Sequence, residues 1–535
     1  MKKSFVVSFF ILAIATTGYY YLFQENKLIT STSQSTTNLF MQEEPTVHEK
    51  PTELATCIAI PKSECSVNKN DNTYYLGFTC QRKELCNHEM IIEGTLPKWL
   101  NGNFLTIGPA QFALNDSTAD HWLDGFAMLH QFKISNTGIK YSNAFIDSGY
   151  RKESLKKGKI TGSTPPPTST FSKWASLFSS SSRPVYDNTN VNIIKMNDHY
   201  IALTESTQPM CCSCTNLKKQ KPIIFDDKLS EAQFSCAHPH YDPVSKELIS
   251  YATTFARSST YTIYTLKEGS TERVPLCKLP VSYPSYMHSF AVTPHYIILI
   301  EVPFVVNPID LVLKGKSFIE TFKWKPKLGT NFIVVDRNTG KHITTLNTDA
   351  FFALHQVNAF EQNGKIILDM ISYKNPDIIK AYYLDYMKDN SKPTPQGNLK
   401  RFTLDPANKK IATKLLSSHA IELPRINYDN NATSYNYVYA TETPVGAKLA
   451  QNLVKINVNT GKSTLWNVEG YPTEPIFVAR PGTQSEDDGI ILSLVLDPAK
   501  KQSFLVILDA KDMKEIARAY APHHIPFTVH GYFCR

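Results

Sequence analysis

Charge is scarce in this chain. Only 19% of its 535 residues are charged, and 56 Lys and Arg against 48 Asp and Glu leave a net charge of +8. That density lies below the soluble average of about 25%. A mild basic excess over 60.4 kDa is too dilute to signal nucleic acid, though it suits an anionic membrane surface. Catalytic signatures are also missing: there is no H-E-x-x-H, no G-x-S-x-G, no P-loop and no G-x-G-x-x-G. Common hydrolase, kinase and nicotinamide chemistries therefore have no foothold, and neither nicotinamide nor flavin is expected. No exact repeat marks a WD-type array. Helical periodicity is rare, confined to residues 171–178 and 377–388. With 42% hydrophobic residues the chain can bury a sizeable core, which excludes collagen, coiled coil and wholesale disorder.

Aromatics and turn formers are abundant, with 29 Phe, 27 Tyr and 32 Pro. They favour an all-β protein of short strands. Runs rich in β-branched and aromatic residues predict strands at 200–204, 261–266, 296–302, 332–335, 365–370, 489–496 and 503–508. Between them stand turn sequences such as DRNTGK, NVNTGK and DPAKK. This texture is uniform from about residue 90 to the end, so residues 89–535 read as one large β-domain, a propeller or a barrel.

The start of the chain differs. Residues 5–23 are almost uninterruptedly apolar behind a Lys2-Lys3 pair, long enough to cross a bilayer, and no clear small-x-small cleavage site precedes Gln24. Residues 1–23 are expected to be a membrane anchor or a signal peptide, which implies a membrane-anchored or exported protein. Residues 24–88 combine a polar tether with Cys57, Cys65, Cys80 and Cys86. Their gaps of 8, 15 and 6 residues lack the paired C-x-x-C spacing of a zinc ribbon, so two disulfides are favoured, with the pairing open.

Histidine is what remains for chemistry. His238, His288, His355 and His530 stand in strand-like or strand-end contexts, separated by 50, 67 and 175 residues. One histidine on an apolar strand is ordinarily a satisfied core residue. Several converging at the axis of a closed β-structure would bind a transition metal through neutral imidazole nitrogens. Spacing alone does not show that convergence.

Around these histidines the chain resembles the carotenoid cleavage oxygenase family, which includes carotene and apocarotenoid dioxygenases and a retinoid isomerase. The likeness runs from Gly94 to Phe533 through GTLPKWLNGNFLTIGP, HWLDGFAMLHQF, NTNV, AHPHYDP, YMHSF, HQVNAFEQNGKIILD, YPTEPIFV, SEDDGIILSLVLD and VHGYF. The resemblance implies a seven-bladed β-propeller with a loop and helix cap over an axial metal site. It implies one Fe(II) per chain held by His238, His288, His355 and His530, with His240 structural. Glu205, Glu422 and Glu474 are expected to accept the outer N–H of three of those imidazoles, leaving His238 without such a partner. Val191 is expected to lean toward an open coordination position.

The activity implied is cleavage of one double bond of a carotenoid or apocarotenoid with O2 as co-substrate, giving two carbonyl products. Retinoid isomerisation, stilbene cleavage and a catalytically silent apolar-ligand-binding propeller are the alternatives. An almost insoluble substrate calls for contact with membrane lipid. The interfacial element expected is the helix with Phe171, Trp174, Leu177 and Phe178 on one face, preceded by Arg151, Lys152, Lys156, Lys157 and Lys159. Departures are local: Thr106-Ile107 precede Gly108-Pro109 where the family commonly has Arg-Asn, and Ala110 replaces the usual next residue.

Overall fold

The β-branched and aromatic runs are strands. In the computed structural model, which describes residues 73–160, 187–227, 229, 231–313 and 317–535, all seven expected runs fall on strands, among them Tyr296–Glu301, Lys365–Ser372 and Gly489–Asp497, with Thr204 and Val302 each one residue past the strand's end. These strands build seven antiparallel sheets of four to six strands. The sheets are the blades of a seven-bladed β-propeller, numbered here in chain order from the sheet that contains Gly102–Gln111.

Both ends of the chain close the ring. His530–Cys534, the final strand, pairs with Gly102–Gln111, with His530 opposite Ile107, and so becomes the inner strand of blade 1. In the opposite sense, Ile91–Gly94 from the amino-terminal side adds the outer strand of blade 7 by pairing with Glu515–Tyr520. Blades 1 and 7 are thus each built from both ends of the described chain. Leu85–Glu89 pairs with Gly138–Phe145 as the outer strand of blade 1, so the propeller extends to the amino-terminal side of the boundary expected at residue 89.

Burial follows position in the blade. Gly489–Asp497 is buried at all but its last residue, because neighbouring blades cover both faces of a central strand. That double coverage explains why such strands read as continuous apolar runs rather than alternating ones. The outer strand Lys410–Leu415 has one side to solvent and shows no buried residue. Turns between strands are set by local chemistry. In the DRNTGK turn, Asp336 Oδ1 accepts the N–H groups of Asn338 and Thr339 at 3.0 and 2.8 Å. Gly340 then adopts φ +69°, where a Cβ would lie 2.0 Å from the Leu276 carbonyl oxygen.

Short helices and loops join the blades at one end. The expected helix at 377–388 is two, Asp377–Ala381 and Leu384–Lys388. Tertiary bonds break it: the Tyr382 carbonyl accepts from Trp122 N–H at 2.9 Å, and Leu384 N–H donates to the Asp120 carbonyl at 2.9 Å. Phe78 packs against Phe112, Trp122 and Phe527, and Trp122 against Tyr382, making an aromatic cap cluster. Residues 1–72 and 161–186 lie outside the described residues, so the apolar leader, Cys57, Cys65 and the segment carrying Phe171, Trp174, Leu177 and Phe178 are not placed. No disulfide links Cys80 to Cys86. Among the described residues, no helix is long and apolar enough to cross a membrane.

Candidate metal centre

Seven side chains meet at the propeller axis, one from each blade. His530 opens the inner strand of blade 1, His238 lies between Phe234–Ser235 and His240–Asp242 of blade 3, His288 stands two residues ahead of the inner strand of blade 4, and His355 immediately precedes that of blade 5. Glu205 follows His199–Leu203 of blade 2, Glu422 lies in Ile421–Arg425 of blade 6, and Glu474 sits just ahead of Ile476–Ala479 of blade 7. Residues hundreds of positions apart thus become neighbours because a ring turns the inner part of every blade toward one axis.

The four histidines offer one nitrogen each, and these atoms all lie within 4.8 Å of one another. Nε2 of His288 stands 3.0 Å from Nε2 of His238 and 3.2 Å from that of His355, which is 3.2 Å from that of His530. The opposite ring nitrogens point outward to carboxylates. His288 Nδ1 meets Glu205 Oε1 at 2.6 Å, His355 Nδ1 meets Glu422 Oε2 at 2.6 Å, and His530 Nδ1 meets Glu474 Oε1 at 2.8 Å. His238 has no carboxylate partner among the described residues.

Those outer bonds fix the tautomer. An ionised carboxylate requires a proton on Nδ1, so Nε2 of His288, His355 and His530 carries a lone pair directed inward. Lone pairs facing each other across about 3 Å in a buried site repel unless a cation sits among them. Imidazole bonds of about 2.0–2.1 Å to one ion place neighbouring nitrogens about 3 Å apart, the separation observed. The site therefore fits a first-row transition metal on its donor set and spacing.

At His238 and His530 burial favours the neutral imidazole. Burial, reinforced by His530, His288 and His355, holds His238 well below the ordinary histidine range. Burial likewise lowers His530 to about 4 despite the adjoining Glu474. For Glu474, burial opposes ionisation, but Arg425 and then His530 outweigh it and hold the carboxyl at about 2. Burial also opposes ionisation of Glu422, where His355 and Tyr373 prevail and keep it low.

Three groups that complete the cluster were not anticipated. Tyr286 donates its hydroxyl to Glu205, 2.9 Å from each oxygen, and Tyr373 donates to Glu422 Oε1 at 2.7 Å. Burial, with the neighbouring carboxylate second, pushes both phenols up, so they remain neutral donors. Arg425 grips Glu474 with both ends of its guanidinium, Nε to Oε1 at 2.8 Å and Nη2 to Oε2 at 3.0 Å. A bulge explains how one strand serves two blades. Leu423 has φ +51°, and the pairing register shifts between Glu422 and Arg425. The extra residue turns Glu422 toward His355 and Arg425 toward Glu474. The available sequence signal was weak: Tyr286 stands two residues before His288, and Arg425 three after Glu422.

His240 is buried outside the cluster, with Nε2 3.0 Å from the Phe290 carbonyl oxygen and 3.0 Å from Gln356 Nε2. Val191 is buried just ahead of Asn192–Met196, and its N–H donates to the Leu203 carbonyl at 3.1 Å. Tyr382 packs against Trp122 in the cap, and burial, with Glu422 second, raises its hydroxyl. Arg151, Lys152, Lys156 and Lys157 lie on the helix Gly149–Lys157, capped by Ser148 and by Gly158 in the left-handed conformation.

Comparison with known proteins agrees with this geometry. The model of the family described as retinal pigment epithelial membrane protein matches residues 78–535. A mitochondrial carotenoid-cleaving dioxygenase of Macaca fascicularis is 30% identical over 508 residues, 82% of this chain and 90% of that protein. The β,β-carotene 15,15′-dioxygenase of Gallus gallus is 31% identical over 504 residues, 83% and 94% respectively. Among solved structures, a variant of the Synechocystis apocarotenoid oxygenase superposes with a TM-score of 0.76 at 29% identity, covering 86% of this chain and 98% of that one. A cobalt-substituted form of the Synechocystis protein superposes at 0.75, also with 29% identity and the same coverage of both chains. On its sequence, its seven-bladed fold and its axial histidine cluster, the chain belongs to the retinal pigment epithelial membrane protein family, the carotenoid cleavage oxygenases.

Proposed function

We propose that this protein is an iron-dependent dioxygenase that adds both atoms of O2 across one double bond of a carotenoid or apocarotenoid and releases two carbonyl products. The observation that carries the reading is the convergence of four imidazole Nε2 atoms, three of them oriented from behind by Glu205, Glu422 and Glu474. His238, His288, His355 and His530 would hold one Fe(II). Bound there, the iron would supply a redox-active ion with positions open to O2, and the electron-rich polyene is itself the reductant. The atoms balance without a nicotinamide, flavin or 2-oxoacid: one C=C and one O2 become two C=O groups.

The protein's part is placement and exclusion of water. Glu205, Glu422 and Glu474 hold the proton on the outer nitrogen, keep the rings correctly turned and back them with negative charge. The cap aromatics Phe78, Phe112, Trp122, Phe527 and Tyr382 pack on one another and would offer apolar surface suited to a polyene chain. Val191 limits the small ligands that reach the ion. The leader at 1–23 and the segment with Phe171, Trp174, Leu177 and Phe178 bring the enzyme to the lipid that holds its substrate, as an anchored or exported protein contacting a bilayer.

The test is incubation of iron-loaded protein with β-carotene and with apocarotenals under 18O2. Products are reduced at once to alcohols, so that exchange with water cannot erase the label, and weighed by mass spectrometry. Two shortened products, each carrying one 18O, are expected. Unlabelled geometric isomers of intact length would indicate isomerase chemistry instead. Cleavage confined to stilbenes would move the substrate class, and absence of turnover with every polyene and stilbene would leave a binding propeller.

A further inference from the structure

The three carboxylates behind the histidines are not equivalent. Glu205 and Glu422 each face a neutral phenol, Tyr286 and Tyr373, whereas Glu474 faces a cation. Arg425 also donates to the Gly531 carbonyl at 3.1 Å, and Glu474 Oε2 accepts the Gly531 N–H at 2.7 Å. The guanidinium thus clamps the residue next to His530 as well as its carboxylate. Glu474 is 4% exposed and Arg425 29%, so the contact is largely sheltered from solvent.

The charges of the cluster can be summed from these groups. Four neutral imidazoles contribute nothing, three carboxylates contribute −3, and Arg425 contributes +1. A divalent ion among the histidines brings the sum to zero, and a trivalent ion makes it +1. Uncompensated charge in a buried site is costly, so the composition of this shell discriminates between the two.

We infer that Arg425 is the charge-balancing residue of the metal centre, and that by neutralising Glu474 it makes the site electroneutral with a divalent ion and so protects that ion from one-electron oxidation. This deepens the proposed function and rests on its iron assignment. Without the guanidinium the shell sums to −1 with a divalent ion and to zero with a trivalent one. Loss of one electron from the ion to an external acceptor would then relieve charge rather than create it. Arg425 bonds to Glu474 and to the Gly531 carbonyl, not to any of the four imidazoles. It acts through Glu474 as a positioning residue.

The experiment is a potentiometric titration of the iron-loaded full chain with mediator dyes, read spectroscopically under anaerobic conditions, on wild type, Arg425→Gln and Arg425→Lys. Metal content and far-UV circular dichroism are measured on the same samples. Arg425→Gln is expected to favour the oxidised ion at least tenfold, a midpoint lowered by about 59 mV or more for a one-electron couple. Arg425→Lys keeps the charge while losing the two-pronged grip, and its midpoint is expected to stay within half that shift of wild type. An unchanged or raised midpoint in Arg425→Gln overturns the inference, as does an Arg425→Lys midpoint lowered as far as that of the glutamine variant. Should Arg425→Gln fail to fold, Glu474→Gln removes charge of the opposite sign from the same pair. It is expected to raise the midpoint, and a lowered or unmoved value overturns the inference. Failure of the underlying reading looks different, because wild type would then hold no stoichiometric iron and give no titration.

Discussion

Glu422→Gln separates the charge of the carboxylates from their shape. Glu422 Oε2 accepts from His355 Nδ1 at 2.6 Å and from Leu423 N–H at 2.8 Å, while Oε1 accepts from the Tyr373 hydroxyl at 2.7 Å. A glutamine with its amide oxygen at the Oε2 position keeps the first two bonds. Its NH2 then faces Tyr373, whose hydroxyl can rotate to accept. The Tyr373 O–H gives up its acceptor in this exchange, so the metal-free fold is expected to lose no more than about 1–3 kcal/mol. What disappears is the charge assistance on the His355 bond and a negative charge behind the ion. A hydrogen bond to a charged partner is worth about 1.5–3 kcal/mol and a neutral one about 0.5–1.5. That difference of about 1–1.5 kcal/mol is roughly tenfold in affinity, and loss of the counter-charge carries the expected weakening to about 10–100-fold. Chelator competition against Co(II) or Fe(II) measures it, and the melting temperature of the metal-free protein provides the control. Tyr373→Phe leaves the carboxylate on His355 and is expected to cost less than about tenfold. Metal retention by Glu422→Gln equal to wild type would refute the reasoning, as would a loss in Tyr373→Phe as large as that in Glu422→Gln.

Two further outcomes follow from the scaffold. Asp369 is fully buried, gripped by Arg401 at 2.8 and 2.7 Å and by the Tyr435 hydroxyl at 2.7 Å, so Arg401→Met strands its charge. A loss of about 3–5 kcal/mol is expected by urea unfolding, partly recovered in the Arg401→Met, Asp369→Asn double variant. The pH profile of stability is set from pH 6.5 downward by imidazoles that burial keeps neutral: His121 and His524 are lowered to about 4 and His130 to about 3 from the ordinary 6.5. The unfolded chain takes up these protons below 6.5 and the folded chain does not until near 4. Their stabilisation is therefore complete above pH 6.5 and declines as pH falls, by up to about 1.4 kcal/mol per pH unit for each imidazole. A denaturant midpoint that stays flat between pH 7 and 5 would contradict it.

Much of the scaffold was readable from residue order, and the reason is local. A central propeller strand is covered on both faces, so Gly489–Asp497 announces itself as an apolar run, and turn chemistry such as that of Asp336 and Gly340 punctuates it. The break inside residues 377–388 was not readable, because the bonds that end each helix come from Trp122 and Asp120. The histidines could be chosen as candidates, but their convergence depends on ring closure, which separations of 50, 67 and 175 residues do not encode. Resemblance to a family supplied what spacing lacked. Tyr286, Tyr373 and Arg425 escaped notice because their partners lie 81, 49 and 49 residues away and their residue types are common. The Leu423 bulge that turns Glu422 and Arg425 toward different blades has no sequence signature either, since leucine rarely adopts positive φ.

Anomalous diffraction at the iron absorption edge, on crystals of protein purified with its native metal, bears most directly on the axial cluster. The account predicts a single strong peak per chain, within coordinating distance of Nε2 of His238, His288, His355 and His530 together. A peak elsewhere, a peak shared by only two of those imidazoles, or no iron signal from catalytically active protein would contradict it.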